Sequence, residues 1–211
     1  LTANTTASNN TAVGDQALEA NTTGQQNVAF GSGALTSNTT ANYNNAIGAF
    51  TLRDNTTGKQ NTALGHGALL ANTTADNNTA IGFNALISNT TGGDNTAVGK
   101  GALDANTTAS ANTAIGSGAM GATTTGNQNT AVGSGSLGSN TNGSENTVVG
   151  YNALDANTSG GSNVAVGKQA LTASSTGSYL TAVGTNALAA NTTASNNDAF
   201  GYNAMASNTT G

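Results

Sequence analysis

Acid–base catalysis needs two titratable side chains held within reach of one transferring proton. The 211 residues offer few such groups: nine Asp and Glu, four Lys and Arg, and a single His. His66 stands at a variable place in the chain with no acidic partner repeated beside it, so it reads as a surface residue and not as a base. Asp104 and Asp155 occupy the same place in the repeat described below but lie three repeats apart. At strand spacing that is ~14 Å, too far for a pair of glycosidase carboxylates. There is no Cys, which excludes disulfides and thiolate metal sites. The Gly and Asp residues do not follow the calcium-binding nonapeptide order, and no phosphate-cradling loop or dinucleotide fingerprint opens a helix. The expectation is therefore of no catalytic, cofactor-binding or metal-binding residue, and of a chain that is not an enzyme.

The rest of the composition points the same way. Charged residues are 6% of the chain and the formal net charge is -5. Arg53, Lys59, Lys100 and Lys168 are far apart in sequence, so no basic cluster is available for phosphates and no nucleic-acid partner is expected. No apolar run approaches a membrane span, so no membrane insertion is expected either. The chain opens at Leu1 with no charged-then-apolar leader, and reads as a processed product or a part of something longer. Gly, Asn, Thr and Ala dominate, a mixture that could signal disorder. Disordered chains, however, are rich in Pro and charge, and this one has no Pro.

What organises the chain is a strict repeat. Gly14, Gly31, Gly48, Gly65, Gly82, Gly99, Gly116, Gly133, Gly150, Gly167, Gly184 and Gly201 are spaced by seventeen residues with no insertion. Four residues after each Gly stands a large aliphatic, from Leu18, Leu35 and Leu52 to Leu188 and Met205. Just before each Gly stands Val13, Phe30, Ile47, Leu64, Ile81 or its equivalent. An Ala row runs from Ala12 to Ala199, broken only by Val148, and a second small row follows Ala17, Ala34, Thr51 and Ala68. Two Asn rows complete the unit, one through Asn4, Asn21, Asn38 and Asn55, the other through Asn10, Asn27, Asn44 and Asn61.

Seventeen residues are too few for two helices and a turn, and Asn-Thr-Thr-Gly is poor helix material. The N-T-A-V-G segment is extended in character, with Thr and Val on one face and Ala on the other, and Gly and Asn mark the bends. A unit this short cannot bury its own apolar face and must stack on copies of itself. The fold expected over residues 1–211 is one all-β parallel β-solenoid of about twelve coils, each strand bonded to its equivalents at ~4.8 Å spacing. In that stack the Val/Ile and Leu ladders are expected to fill the interior. The Asn ladders are expected to be buried and to pair amide to amide along the axis. The row after each Gly, with Asp15, His66, Phe83, Lys100 and Tyr151, obeys no packing rule and is expected to face outward, as is the row of Glu19, Arg53, Asp104 and Asp155. Ser174 and Leu180 replace the two asparagines of one coil and interrupt both ladders.

The N-T-A-V-G-x-x-A-L run resembles the YadA-like head repeats of trimeric autotransporter adhesins and similar repeats of phage tail-fibre proteins. Val13-Gly14 and its successors fall on the I-G pair of that family, along the whole chain. The unit is longer than the adhesin head repeat, and Thr11 stands where that family prefers an aliphatic. The resemblance implies a left-handed β-roll, three rolls packed into a homotrimer, and a place outside the cell, on a cell surface or in a virion fibre. The function expected is a structural extracellular fibre or adhesin segment. Its partners would be copies of itself, as a trimer or as a head-to-tail filament, and a host or matrix surface. The Ala12 ladder is expected to offer a methyl face on which another roll can come close.

Two further patterns stand beside this. The stacked Thr5, Thr22, Thr39, Thr56, Thr73 and Thr90 form a hydroxyl row, which makes ice binding the alternative function, although adjacent Thr residues on a strand point to opposite faces. Asn4-Thr5-Thr6 and its copies match the N-glycosylation sequon. In a bacterial or phage protein that match is a by-product of turn chemistry; in an archaeal or eukaryotic secreted protein it marks a sugar coat.

Overall fold

The computed structural model describes residues 2–210, which fall into two compact units, the first ending at Thr108 and the second beginning at Ala109. The first carries β1 (Thr11–Val13), β2 (Val28–Phe30), β3 (Asn45–Ile47), β4 (Thr62–Leu64), β5 (Thr79–Ile81) and β6 (Thr96–Val98). The second carries β7 (Thr113–Ile115), β8 (Thr130–Val132), β9 (Thr147–Val149), β10 (Val164–Val166), β11 (Thr181–Val183) and β12 (Asp198–Phe200). Within each unit the strands lie in chain order and pair in parallel, each residue opposite the one seventeen positions on, as Thr62 faces Thr79 and Ala63 faces Ala80. The protein is all-β, a parallel β-solenoid, with no helix among the described residues.

One coil of the first unit shows how the sequence builds it. After β4, Gly65 has φ +127°, and a Cβ there would lie 2.6 Å from the carbonyl oxygen of Gly82, so this row admits only Gly. Gly67 and Leu69 then both take left-handed backbone, with φ of 67° and 54°. The Ala68 and Asn72 amides donate to the carbonyls of Gly65 and Leu69, closing the corner. Elsewhere the backbone pairs between coils: the Leu69 amide donates to Ala85 O at 2.9 Å and the Thr73 amide to Thr90 O at 3.1 Å. The whole Leu and Met row repeats the left-handed conformation, with φ between 48° and 54°. That conformation costs a non-Gly residue about 1–2 kcal/mol. Full burial of a Leu side chain returns about 1.5–3 kcal/mol, so the packing carries the strained corner.

The interior is narrow. Leu is its one large row, surrounded by Ala29 and its equivalents, Ala34 and its equivalents, and both Asn rows, all close to fully buried. The expectation that Val and Ile line the interior is overturned: Val13 is 48% exposed and Leu64 44%, whereas Ala63 between its neighbours is 1% exposed. A three-residue strand has one inward place, and the small coil fills it with a methyl in every strand but β9, where Val148 is fully buried. The same geometry removes the Ala ladder as a lateral contact surface, because those methyls are core. The expected alternation holds, with its two faces exchanged.

The row after each Gly is exposed, apart from half-buried Ala49 and Thr185. In the other outer row Glu19 is exposed, while Arg53, Asp104 and Asp155 are half-buried.

Candidate functional site

The Asn rows lie at two corners of the coil and satisfy one another. Asn72 Nδ2 donates to Asn55 Oδ1 at 2.8 Å and to Ala75 O at 3.0 Å, and its own Oδ1 accepts from Asn89 Nδ2 at 3.0 Å. In the second row the Asn61 amide and Nδ2 both donate to Asn44 Oδ1, at 3.0 and 3.2 Å, and Nδ2 also donates to Ala75 O at 2.9 Å. The amides of Asn61 and Asn72 thus use both donor protons on their own ladders, which makes these corners structural.

The Thr row expected to serve ice is also committed. Thr22 Oγ1 donates to Thr39 O at 3.0 Å, Thr56 Oγ1 to Thr73 O at 3.0 Å, and Thr73 Oγ1 to Thr90 O at 3.1 Å. Its hydroxyl hydrogens run along the coil axis into backbone acceptors. The neighbouring row, Thr23, Thr40, Thr57, Thr74 and Thr91, is exposed.

His66 lies between two rings, stacked on Phe83 with centroids 5.5 Å apart and edge-on to Phe50 at 5.7 Å. This is a surface aromatic cluster. Arg53 makes a forked ion pair with the adjacent Asp54, Nε to Oδ1 at 2.7 Å and Nη2 to Oδ2 at 2.8 Å, which holds the guanidinium above its ordinary pKa. Burial pushes the Asp104 and Asp155 carboxyls upward, and at Asp104 hydrogen bonds from its own amide and that of Ala105 oppose the shift. The two belong to different units. A cleft of about 290 Å³ is lined by Thr2, Gly14, Asp15, Gln16, Ala17 and Glu19, two acids without a basic residue among them. Among the described residues no group of three or more His, Asp or Glu side chains is placed to hold a metal ion, and no helix is long and apolar enough to cross a membrane.

The surface that does stand out is the outward face of the strands. Its two rows are the first and third strand residues: Thr62 and Leu64, Thr79 and Ile81, Thr96 and Val98, with Val28 and Phe30 as the bulkiest pair. All of these are at least partly exposed, Phe30 at 55%. In the first unit the face carries no charged side chain, and in the second it carries one, Asp198. Asp198 apart, charge is thus kept off this face, and a large apolar side chain repeats at every strand on a surface where water meets it. The sequence signal for this face was present in the Thr-Ala-Val alternation; what was missing was the knowledge of which half turned inward. No protein-family model, curated protein or solved structure matches the chain.

Proposed function

We propose that the chain is a structural segment of an extracellular fibre or adhesin, without catalytic activity, and that its outward strand face packs against further copies of itself, as trimers in the first instance. The observation that carries this reading is the uncharged Thr and Val/Ile face of β1 to β6. Depletion of charge with retained apolar area is the compositional mark of an interface core, not of ordinary surface. The face also repeats at strand spacing, ~4.8 Å. A second copy of the same coil presents the same period and meets it in register at every strand; an aperiodic partner matches it at one or two. The adhesin and tail-fibre resemblance supports the same arrangement and a place outside the cell or on a virion.

Sedimentation equilibrium tests the reading. The native chain is expected to sediment as a trimer or larger assembly, and the Ile47→Lys/Leu64→Lys variant as a monomer with an unchanged circular dichroism spectrum. A native chain that stays monomeric up to its solubility limit would sink the proposal. Ice binding draws on less, because the hydroxyls of Thr22, Thr39, Thr56 and Thr73 are already spent on backbone carbonyls, which leaves the single exposed row of Thr23 to Thr91. Thermal hysteresis is expected to be absent, and faceted ice growth would reverse the order of the two readings.

A further inference from the structure

The Asn-Thr-Thr sequons all fall on the first of the two Asn rows, and this has a chemical consequence independent of the function proposed above. N-glycosylation forms a bond between an anomeric sugar carbon and Asn Nδ2. The bond from that carbon to a phosphate oxygen of a sugar-diphosphate donor breaks, the diphosphate departs, and one of the two Nδ2 protons is lost to base. At Asn38, Asn55, Asn72 and Asn89 both protons are in use. Asn38 Nδ2, for example, donates to Asn21 Oδ1 at 2.9 Å and to Ala41 O at 3.2 Å. Each of these side chains is also 0% exposed. A glycan there would remove one ladder bond and would have to occupy the space between two coils. The small coil has no such space: a Cβ on Gly58 would already lie 2.5 Å from Asn55 Oδ1 and 2.9 Å from Asn72 Nδ2.

Three other sequons lie outside the ladder: Asn9-Asn10-Thr11, Asn77-Asn78-Thr79 and Asn142-Gly143-Ser144. Asn9, Asn77 and Asn142 are all exposed. Asn9 and Asn77 sit on the left-handed turn before a strand, with φ of 60° and 61°, and Asn77 Nδ2 donates to Asp94 Oδ1 at 3.1 Å on the exposed surface. We infer that folding and N-glycosylation exclude one another at the buried ladder asparagines, and that the folded coil accepts sugar instead at its exposed sequons, Asn9, Asn77 and Asn142 together with Asn4 at the start of the ladder row. A chain that meets a sugar transferase before it folds is then trapped unfolded by its own repeat, whereas one that folds first is decorated at these exposed sites.

The test uses a soluble asparagine glucosyltransferase with UDP-glucose on the full chain, folded and in parallel unfolded in urea at a concentration the enzyme tolerates, followed by peptide mass mapping. The folded protein is expected to carry glucose at Asn4, Asn9, Asn77 and Asn142, with no modification at Asn38, Asn55, Asn72 and Asn89. The unfolded chain is expected to be modified at those four as well and then to fail to recover protease resistance on removal of urea. The Thr79→Ala variant should lose modification at Asn77 alone. Glucose on Asn55 or Asn72 of the folded, protease-resistant chain would overturn the inference, as would recovery of the fold by a chain modified there. Unmodified Asn9, Asn77 and Asn142 in the folded chain would refute the assignment of these turns as acceptors.

Discussion

The coils around Asn72 and those around Ser174 belong to the same repeat but solve one corner differently. From Asn38 to Asn89 each Nδ2 donates to the Oδ1 of the coil before it, at 2.8 to 3.1 Å. At Ser174 the chain of amides stops. Ser174 Oγ is buried without a hydrogen-bond partner, Asn157 Oδ1 accepts from the Gly160 amide at 3.0 Å, and Asn191 Nδ2 retains a bond to Ala194 O at 3.0 Å. Leu180 fills the corner in place of the second Asn: a Cβ on Gly177 would lie 2.9 Å from Leu180 Cδ1 and 3.0 Å from Ser174 Oγ. Thr123 is an intermediate case, since Asn140 Nδ2 still reaches its hydroxyl at 3.4 Å. A buried polar ladder is therefore contextual. Each amide is satisfied by its neighbours, so a single replacement affects two coils, and an apolar side chain can take over only where both polar positions are given up together.

The largest effect that would sharpen this comparison comes from the row both regions share. Leu103→Asp places an unpaired carboxylate at a fully buried position and is expected to cost more than about 4 kcal/mol, with loss of amide-exchange protection in the adjacent coils. Equal destabilisation by Asp104→Ala, one residue away and half-buried, would mean that the row assignment is wrong. Next is Asn72→Ala, which deletes two donated bonds and leaves one Nδ2 proton of Asn89 without its acceptor, the other staying on Gly92 O. The expected loss is about 2–4 kcal/mol in chemical denaturation, whereas Ser174→Ala should change stability by less than about 0.5 kcal/mol because its hydroxyl makes no bond. If the two alanine variants lost the same amount, the distinction between the regions would fail.

A smaller effect tests the coupling within the interrupted corner. Ser174→Asn/Leu180→Asn restores three to four ladder bonds at about 1 kcal/mol each against about 2–3 kcal/mol of lost Leu burial, a net gain of about 1 kcal/mol. Ser174→Asn alone should be destabilising, since its amide competes with Leu180 for one space. A double-mutant cycle with no interaction energy would refute that account.

The smallest expected effect is electrostatic. Burial raises the Asp104 carboxyl above its ordinary range, so the folded state binds this proton more tightly than the unfolded chain does. The penalty is absent at a pH below the ordinary carboxylate range, grows as pH rises to the folded value, and is constant above it. Asp104→Asn should accordingly raise the melting temperature slightly at neutral pH and leave it unchanged in acid. The reverse pattern would mean that the two backbone hydrogen bonds outweigh desolvation. Solvent screening at this half-exposed site keeps the effect small.

The period, the stacking of coils, the buried Leu row, the two Asn ladders and their interruption at Ser174 and Leu180 were all legible in the sequence, because a repeat compares each position with itself a dozen times and burial leaves a row uniform. Uniformity has a second cause, however, which is lack of space. The Val/Ile row is uniform and yet faces out; the Ala row is nearly uniform because the coil leaves it little space, with the fully buried Val148 its one larger member.

Alternation along a strand dictates that Ala63 and Leu64 face opposite ways, and it does so from residue types alone. Which of them enters the coil was decided by the tertiary structure. Seventeen residues closed by left-handed corners at Gly67 and Leu69 leave room for one Leu and a set of methyls in each layer. The same closure decided that Thr22 gives its hydroxyl hydrogen to a backbone carbonyl and that Asn72 is buried while Asn77 is exposed. A one-dimensional pattern carries periodicity and parity; the width of the coil, which sets the sign of every face, exists only once the chain has closed on itself.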